Sequence, residues 1–322
     1  MTRFSKTYFT PEKFTAQNAK DFLQNIEEVF SLVSVQKRGV FFDVSRTTKD
    51  IDILGQLLIY KFLDFTAKKQ CFFNPITNLK ENKKVSEEMK RIGFKKLVDE
   101  NFKTKDPIDN QPTYSQTTDF FIAPIVLERT QNSSITNNTE LKIIDYYKNP
   151  IISTGILHCI GEISSNFQEH AVSDTKSVLV ARGNKKQIEI ACADNGDGII
   201  STLMPILNGN YRNHKYDVIG KSIEINVTSK AKDGHMGCGL WLVNQYVTAT
   251  NGILCIYSQD GYLINRGGKI KCGKSPFWKG TIIYLKMPVT NVDAFSKVMK
   301  QTDEQISMFL ESIGKKINLN II

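Results

Sequence analysis

Histidines and paired cysteines are few in this sequence, and their scarcity argues against several kinds of site. Only four histidines occur, and none precedes His158. The six cysteines form no CxxC pair, and most lie in apolar runs such as IEIACAD, where cysteine acts as a small hydrophobic residue. We therefore expect neither a structural zinc site nor a disulfide framework.

Long apolar runs are also absent. No run approaches the length that spans a bilayer, and the first residues, MTRFSKTYFTPEKF, lack the apolar core of a signal peptide. We therefore expect a cytoplasmic protein without membrane-spanning segments.

The net charge of +9 comes without zinc-finger spacing or an aromatic-rich RNA-binding signature. Nucleic-acid binding is therefore possible but not indicated, and a solvated basic surface is the favoured interpretation. The clearest basic run is a loose one, made of Arg266, Lys269, Lys271, Lys274 and Lys279.

Residues 1–100 alternate helix and strand signals. Helical periodicity covers residues 16–33, 52–68 and 83–98, and short strands are predicted over residues 40–45 and 71–76. This βαβα order predicts a small α/β domain over residues 1–100. The polar segment over residues 101–139 is predicted to be a linker. Its one strand-like piece, FFIAPIVLE, is expected to pack against one of the domains.

A second domain is predicted over residues 140–290, followed by a C-terminal helix within residues 291–322. Two strands, KSVLVAR and QIEIACAD, are joined by a hairpin-like turn. Later come a helix, LWLVNQYVTAT, the strand GILCIYS, a Gly/Lys-rich loop and the strand TIIYLKMPV.

The helix over residues 157–171 has an apolar stripe beside a polar face. Ile156, Ile160, Ile163 and Phe167 recur at helical spacing, and the polar face carries Glu162, Asn166 and Glu169. A carboxylate one turn before a carboxamide can hold a divalent metal and a water. On its own, a solvated polar face is the simpler interpretation.

Three glycine-containing segments follow this helix. Asp194-Asn195-Gly196-Asp197-Gly198 ends a strand, either as a tight turn or as backbone that admits a flat ligand, with Asp194 accepting from a base amino group. The segment from Gly234 to Leu240, GHMGCGL, opens a helix, where free N–H groups favour phosphate. Gly280-Thr281 begins an apolar strand.

The order Glu-x3-Asn, strand-DNGDG, long loop, GHMGCGL-helix and Gly-Thr resembles the GHKL ATPases. That superfamily includes gyrase B-type subunits, Hsp90-type chaperones, sensor histidine kinases and MutL, and the anti-sigma-factor serine kinases are similar. The resemblance covers about residues 150–290 and implies a two-layer α/β sandwich of the Bergerat type that binds ATP with Mg²⁺.

The resemblance also implies roles for individual residues. Asn166 should coordinate Mg²⁺, and Asp194 should bind the adenine amino group in a pocket shaped by Gly196 and Gly198. Gly237, Gly239 and Leu240 should open the phosphate-binding helix, Gly234 should be a lid hinge, and Thr281 should close the adenine pocket. Residues 199–233 correspond to the ATP lid, whose candidate phosphate contacts are Lys215, Lys221, Lys230 and Lys232.

Glu162 occupies the position of the general base in the gyrase and Hsp90-like branch. In the kinase branches a carboxylate here serves phosphotransfer. Autokinase activity is not expected, because no phosphoacceptor histidine precedes His158, which lies in the helix of Glu162. His170 is expected to be a helix-end contact and His235 a lid residue.

The segment VFFDVSRTTKDIDILGQLLIYKFLDFTAKKQCFFNPI, followed by EEMKRIGF, resembles STAS domains over roughly residues 10–100. In STAS regulators the loop after the strand usually presents a phosphorylatable hydroxyl. Ser45, Thr47 and Thr48 lie there, although a cap or turn role is favoured and none is assigned.

These observations predict a mixed α/β (α+β) fold with two domains, a STAS-like one and a GHKL-type one. The predicted function is Mg²⁺-dependent ATP binding with slow hydrolysis, in which nucleotide orders the lid as a regulatory switch. ATP is the expected ligand, and a protein partner or homodimer is expected. The alternatives are a Ser/Thr kinase or anti-sigma-like partner switch, and a nucleotide-binding scaffold that does not hydrolyse.

Overall fold

Two β-sheets organise the part of the chain that the computed structural model describes. That part comprises residues 5–31, 39–68, 76–79, 81–102, 119–127, 137–170, 177–207, 215–229 and 237–312. The first sheet is small and parallel, and the second has five antiparallel strands. The predicted mixture of helices and strands is confirmed at this level.

The small sheet consists of β1 (Ser5–Phe9), β2 (Gly39–Asp43) and β3 (Ile76–Thr77), in that order. Parallel neighbours need crossover connections, and the helices α1 (Ala19–Ser31) and α2 (Ile53–Lys68) lie in those connections. Every described side chain of α2 is buried, as expected of a helix that is apolar on most of its circumference. Strand β1 was not predicted.

The helix predicted over residues 83–98 is two helices, α3 (Lys83–Ile92) and α4 (Phe94–Phe102). Gly93 separates them with a φ of +99°, a left-handed conformation that glycine adopts at helix ends. Asn82 caps the start of α3 by accepting a hydrogen bond from the N–H of Val85. The break therefore follows from one glycine inside a continuous helical pattern.

The larger sheet has the order β4-β5-β6-β8-β7. Its strands are β4 (Phe120–Leu127), β5 (Ser177–Gly183), β6 (Gln187–Ala193), β7 (Ile253–Arg266) and β8 (Lys269–Pro288). The FFIAPIVLE piece of the predicted linker is the edge strand β4. The helices that accompany this sheet are α5 (Asn137–Tyr147), α6 (Pro150–His170), α7 (Ile199–Leu203), α8 (Lys215–Lys221), α9 (Gly239–Ala249) and α10 (Val292–Ser312).

The predicted Gly/Lys-rich loop between the last two strands is wrong. Strand β7 continues to Arg266 and β8 begins at Lys269, so the two form one long hairpin. Gly267 and Gly268 make the turn with φ values of +55° and +93°. Burial alternates along the outer part of β7, where Gly261, Leu263 and Asn265 are buried, but residues 268–271 of the turn and of β8 are exposed. The lysines and glycines there mask the strand pattern.

Both faces of the five-stranded sheet are covered by helices. Val180, Tyr257 and Trp278 belong to a core cluster shared with α1 and α2. The opposite face packs against α6, α9 and α10, through side chains that include Ile190 and Ile283. The predicted domain limits stay predictions, but this first core cluster joins residues from both sides of the segment 101–139.

In the described residues, no helix combines the length and the apolar character that crossing a bilayer requires. No disulfide involves Cys159, Cys192, Cys238, Cys255 or Cys272, and Cys71 lies outside the described residues. Burial raises the pKa of the Cys255 thiol to about 12, as expected of a cysteine that serves as a small apolar side chain.

Candidate functional site

A cavity of about 380 Å³ lies between the five-stranded sheet and the helices α6, α7 and α9. Its walls come from α6, the segment after β6, residues 222–229, the start of α9 and strand β8. The lining residues are Glu162, Ser165, Asn166, Phe167, Asp194, Gly198, Ile199, Thr202, Leu203, Ser222, Val227, Thr228, Ser229, Gly237, Cys238, Gly239, Leu240, Thr281 and Ile283. Glycines, hydroxyls and two carboxylates therefore dominate its polar surface.

Most of the site residues predicted from sequence lie together in this cavity. Those that line it are Glu162, Asn166, Asp194, Gly198, Gly237, Gly239, Leu240 and Thr281. Gly196 is one step removed, because its N–H donates to Asp194. Gly234 lies outside the described residues, as does His235.

Asp194 directly follows β6, and backbone groups of its own loop and of the neighbouring strand β8 hold it in place. Its Oδ1 accepts from the N–H of Gly196 at 2.6 Å and from the N–H of Thr281 at 3.2 Å. Its own N–H donates to the Thr281 carbonyl at 3.0 Å. The side chain is 4% exposed, so a buried carboxylate is fixed at the cavity wall.

Two glycines make this arrangement possible. Gly280 has a φ of +104°, and a Cβ at that position would collide with the Asp194 carboxylate. Gly198 has a φ of +82°, and a Cβ there would come within 2.8 Å of Ser258 Oγ. A larger residue at Gly280 would therefore displace Asp194, and a larger residue at Gly198 would push the backbone away from Ser258.

Ser258 links the two glycine segments from β7. Its Oγ accepts from the N–H of Ile199 at 2.7 Å and donates to the Gly280 carbonyl at 3.0 Å. The same Oγ lies 3.3 Å from Thr281 Oγ1. This buried hydroxyl fixes the start of α7 against the strand that carries Thr281.

Helices α6 and α9 meet at the other end of the cavity. A Cβ on Gly239 would lie 2.6 Å from Glu162 Oε2 and 3.2 Å from Asn166 Nδ2, so a larger residue here would push the Glu162 carboxylate aside. Asn166 donates through Nδ2 to the Glu162 carbonyl at 2.8 Å. That bond uses the amide nitrogen, so the carbonyl oxygen of Asn166 is the atom suited to a cation.

Positive charge at this end comes from the backbone rather than from side chains. Among the described lining residues there is no lysine or arginine. The N–H groups and dipole of α9 point toward the Glu162 and Asn166 end, a setting that favours phosphate. Cys238 is the N-cap, and burial raises the pKa of its thiol, which keeps it neutral.

Of the four lysines predicted to contact phosphate, Lys221 is the one whose side chain the structure describes, and it does not line the cavity. Lys221 forms an ion pair with Glu224 at 2.8 Å. Lys215 begins α8, but its side chain lies outside the described part, and Lys230 and Lys232 lie wholly outside it. These three stay predictions.

Part of the predicted lid, residues 199–233, is helical, as α7 and α8. Ile200 of α7, Ile219 of α8 and Ile223 are buried in the core cluster on this face of the sheet. Val227, Thr228 and Ser229 line the cavity. The described part of the lid therefore contributes both to the core and to the cavity wall.

A preformed metal cluster is absent from the described residues: no three His, Cys, Asp or Glu side chains converge there. The donor set still fits Mg²⁺, which typically takes one or two protein oxygens and obtains the rest from phosphate and water. The side-chain oxygen of Asn166, near the start of α9, matches that preference.

The other predicted residues whose side chains are described do not line the cavity. His158 is partly exposed, and its Nδ1 lies 3.1 Å from Tyr246 Oη. Burial of the rest of the imidazole lowers the pKa of His158. The side chains of Glu169 and His170 lie outside the described part. Thr47 is buried, where it bonds Thr10 and the Pro11 carbonyl.

No family model matches the chain, and comparisons with curated proteins and with solved structures found no match. Functional argument about this cavity therefore depends on its own geometry and on the motifs in the sequence.

Sequence reasoning missed several residues that build the site. Ser258 ends the predicted apolar strand GILCIYS, and Trp278 lies in the segment that was predicted as a Gly/Lys-rich loop but belongs to β8. Trp278 donates from Nε1 to the Asp194 carbonyl at 2.9 Å. Asn195 was seen only as a turn residue, although its Nδ2 donates to the Lys61 carbonyl of α2 at 2.9 Å. These contacts join distant parts of the chain and leave no periodic signal.

Proposed function

We propose that the protein binds ATP with Mg²⁺ in this cavity and hydrolyses it slowly. The observation that carries the proposal is the meeting, in one cavity, of Asp194, the glycine start of α9 and the Glu162–Asn166 pair. One end of the cavity offers a buried carboxylate that can bind a nucleobase, and the other end offers a helix N-terminus that can bind phosphate.

The finer fold assignment belongs to the same proposal. An antiparallel sheet covered on one face by α6, α9 and α10 supports a GHKL (Bergerat) type domain. The parallel β1-β2-β3 layer with its crossover helices supports a STAS-like N-terminal domain. A cytoplasmic location and a protein partner or homodimer complete the proposal.

Each polar group has a role in this proposal. Asp194, fixed by two N–H donors, accepts from the amino group of adenine, while Thr281 and Gly198 shape the walls around the base. The N–H groups of α9 bind phosphate oxygens. Asn166 would hold Mg²⁺, which when bound neutralises phosphate charge.

Glu162 is the group placed to act on water. Its Oε2 faces the start of α9, where the terminal phosphate would lie. A carboxylate there can orient a water and take its proton, while positioning supplies most of the remaining rate. Glu162 is therefore the proposed general base.

Turnover tests the assignment of Glu162. We expect Glu162→Gln to reduce kcat by about 100-fold while the Kd for Mg-ATP changes little, because a general base typically contributes about 10²–10⁴-fold. Phosphate release from labelled ATP measures turnover. Glu224→Gln, the same change on an exposed side chain outside the cavity, is the matched control. Equal, non-zero turnover in the Glu162 variant and wild type would remove Glu162 as the base.

Calorimetric binding tests the base pocket. We expect Asp194→Asn to weaken ATP binding by about 100-fold, because the charged acceptor of a buried hydrogen bond is lost. Asp52→Asn, the same change on the opposite face of the sheet, should leave ATP binding intact. Unchanged binding by the Asp194 variant would contradict the pocket assignment. In the labelled-ATP assay, label bound to protein would indicate the kinase alternative, and binding without turnover would indicate the scaffold.

A further inference from the structure

The loop that carries Asp194 is fixed from behind by a fully buried tryptophan. Trp278 has no exposed surface, and its Nε1 donates to the main-chain carbonyl of Asp194 at 2.9 Å. The carboxylate of the same residue accepts from Gly196 and Thr281. Trp278 thus fixes the peptide of Asp194, while the two backbone donors fix its side chain.

Trp278 is itself held by the N-terminal layer. The ring of Phe30 from α1 packs edge-on against Trp278, with centroids 5.4 Å apart and planes at 70°. The preceding residue, Phe277, also contacts Phe30 and donates its N–H to Glu27 Oε2 at 3.1 Å. Residues 277–278 of β8 are therefore anchored on α1.

A second connection comes from α2. Asn195, the residue after Asp194, donates from Nδ2 to the Lys61 carbonyl at 2.9 Å. Lys61 is completely buried and forms an ion pair with Asp64 at 3.0 Å. A buried pair of this kind tolerates little displacement, because separating its members leaves an uncompensated charge.

We infer that Trp278 is a positioning residue for nucleotide recognition, and that the rear support of the base pocket is formed by α1 through Trp278 and by α2 through Asn195. The inference rests on the proposed function for the identity of the ligand as a purine nucleotide. The contacts themselves reach Asp194 from two helices more than 100 residues earlier in the chain.

The coupling is reciprocal. The contacts of α1 and α2 hold Asp194 in the orientation that binds the nucleobase. Binding of the nucleobase should in turn stabilise these contacts, because linkage between two sites acts in both directions. Nucleotide occupancy should therefore tighten the packing of α1 and α2 on the sheet. The N-terminal layer would in this way sense the nucleotide without touching it.

Hydrogen exchange without nucleotide tests the positioning role directly. In Trp278→Phe we expect the amides of Gly196 and Thr281 to exchange about tenfold faster, because loss of one buried hydrogen bond loosens the Asp194 loop. Trp241→Phe is the matched control, since Trp241 packs in the cluster on the opposite face. Unchanged exchange at these two amides in a folded Trp278→Phe protein would overturn the inference.

Base selectivity provides the second readout. If Trp278 positions Asp194, the Trp278→Phe variant should lose about tenfold of its preference for ATP over GTP, because the acceptor for the adenine amino group is displaced. Equal weakening of both nucleotides would assign Trp278 a merely structural role and overturn the inference. A wild-type protein that binds neither nucleotide, with exchange still faster in Trp278→Phe, would instead contradict the proposed function and leave the positioning role supported.

Phe30→Leu provides a variant that keeps the indole donor. It removes the ring contact from α1 while Trp278 still donates to Asp194. We expect the same two amides to exchange faster, by a smaller factor than in Trp278→Phe. Wild-type exchange rates in Phe30→Leu would exclude α1 from the support and overturn that part of the inference, even if Trp278→Phe does not fold.

Discussion

Two cavities of nearly equal volume lie on opposite faces of the five-stranded sheet, and they differ in how their polar groups are used. The proposed nucleotide cavity measures about 380 Å³, and a second of about 390 Å³ lies between the sheet and the N-terminal layer. Glycine backbone and hydroxyls line much of the first. Charged side chains line much of the second, among them Asp52, Arg182, Glu189, Arg266 and Lys286.

In the second cavity the protein neutralises its own charges. Glu189 accepts from Arg182 Nε at 2.8 Å and lies 3.1 Å from Lys286 Nζ, so one carboxylate joins three neighbouring strands. Asp52 accepts from the N–H groups of Gly55 and Ala16. Similar volume therefore does not mean similar function, and we expect the second cavity to contribute stability rather than ligand binding.

Removing the shared carboxylate of the second cavity should have the largest effect on stability. We expect Glu189→Gln to lower the free energy of unfolding by about 3 kcal/mol, the lower end for a broken buried pair, because Arg182 and Lys286 are partly exposed. Urea unfolding measures this, and ATP binding should persist. Glu224→Gln, which breaks an exposed pair, should cost less than about 0.5 kcal/mol. Loss of ATP binding in a folded Glu189→Gln protein would contradict the expectation that the second cavity contributes stability rather than ligand binding.

Asp52 should make stability depend on pH. Burial raises its pKa from 3.8 to about 6, so between these values the folded state keeps a proton that the unfolded state has released. The contribution of Asp52 is therefore greatest at low pH and is lost as the pH rises from 4 toward 7, by about 2 kcal/mol. Unfolding free energies of wild type and Asp52→Asn should diverge by that amount over this interval. A constant difference would exclude the effect.

A pair of glycine substitutions should give the smallest effects, one at the start of α9, beside Glu162, and one within α6. Gly239→Ala places a Cβ 2.6 Å from Glu162 Oε2 and should weaken Mg-ATP binding by about tenfold, through a clash worth about 1.4 kcal/mol. Gly161→Ala meets no atom within 4 Å and should stabilise α6 by up to about 1 kcal/mol without changing binding. Calorimetry and thermal unfolding measure the two. Equal binding by both variants would place the phosphate elsewhere.

Local patterns in the sequence predict the longer amphipathic helices of this protein, but not α5, α7 or α8. The stripe of Ile156, Ile160, Ile163 and Phe167 predicts α6, and all four are buried. The glycine motifs also carry local information, because each marks a place where backbone must approach another group. Gly198 and Gly239 both lie at such close approaches.

The features that sequence patterns did not predict depend on contacts between distant segments of the chain. In the outer part of the β7–β8 hairpin, burial alternates along β7 but not along the first residues of β8. The pairing of Leu263 with Cys272 therefore joins a buried position to a stretch with no clear strand pattern. Trp278, Asn195 and Ser258 act through partners elsewhere in the chain. Composition and spacing hold no trace of such partners, so the rear support of Asp194 emerges only in three dimensions.

Helices cover both faces of the five-stranded sheet, so the chain cannot be cut into two fragments without exposing one of these faces. A fragment that begins after the N-terminal layer would expose Val180, Tyr257 and Trp278 on one continuous face. An apolar surface of that kind promotes aggregation. The half that carries the cavity should therefore be insoluble alone, and co-expression of the N-terminal half should restore its solubility.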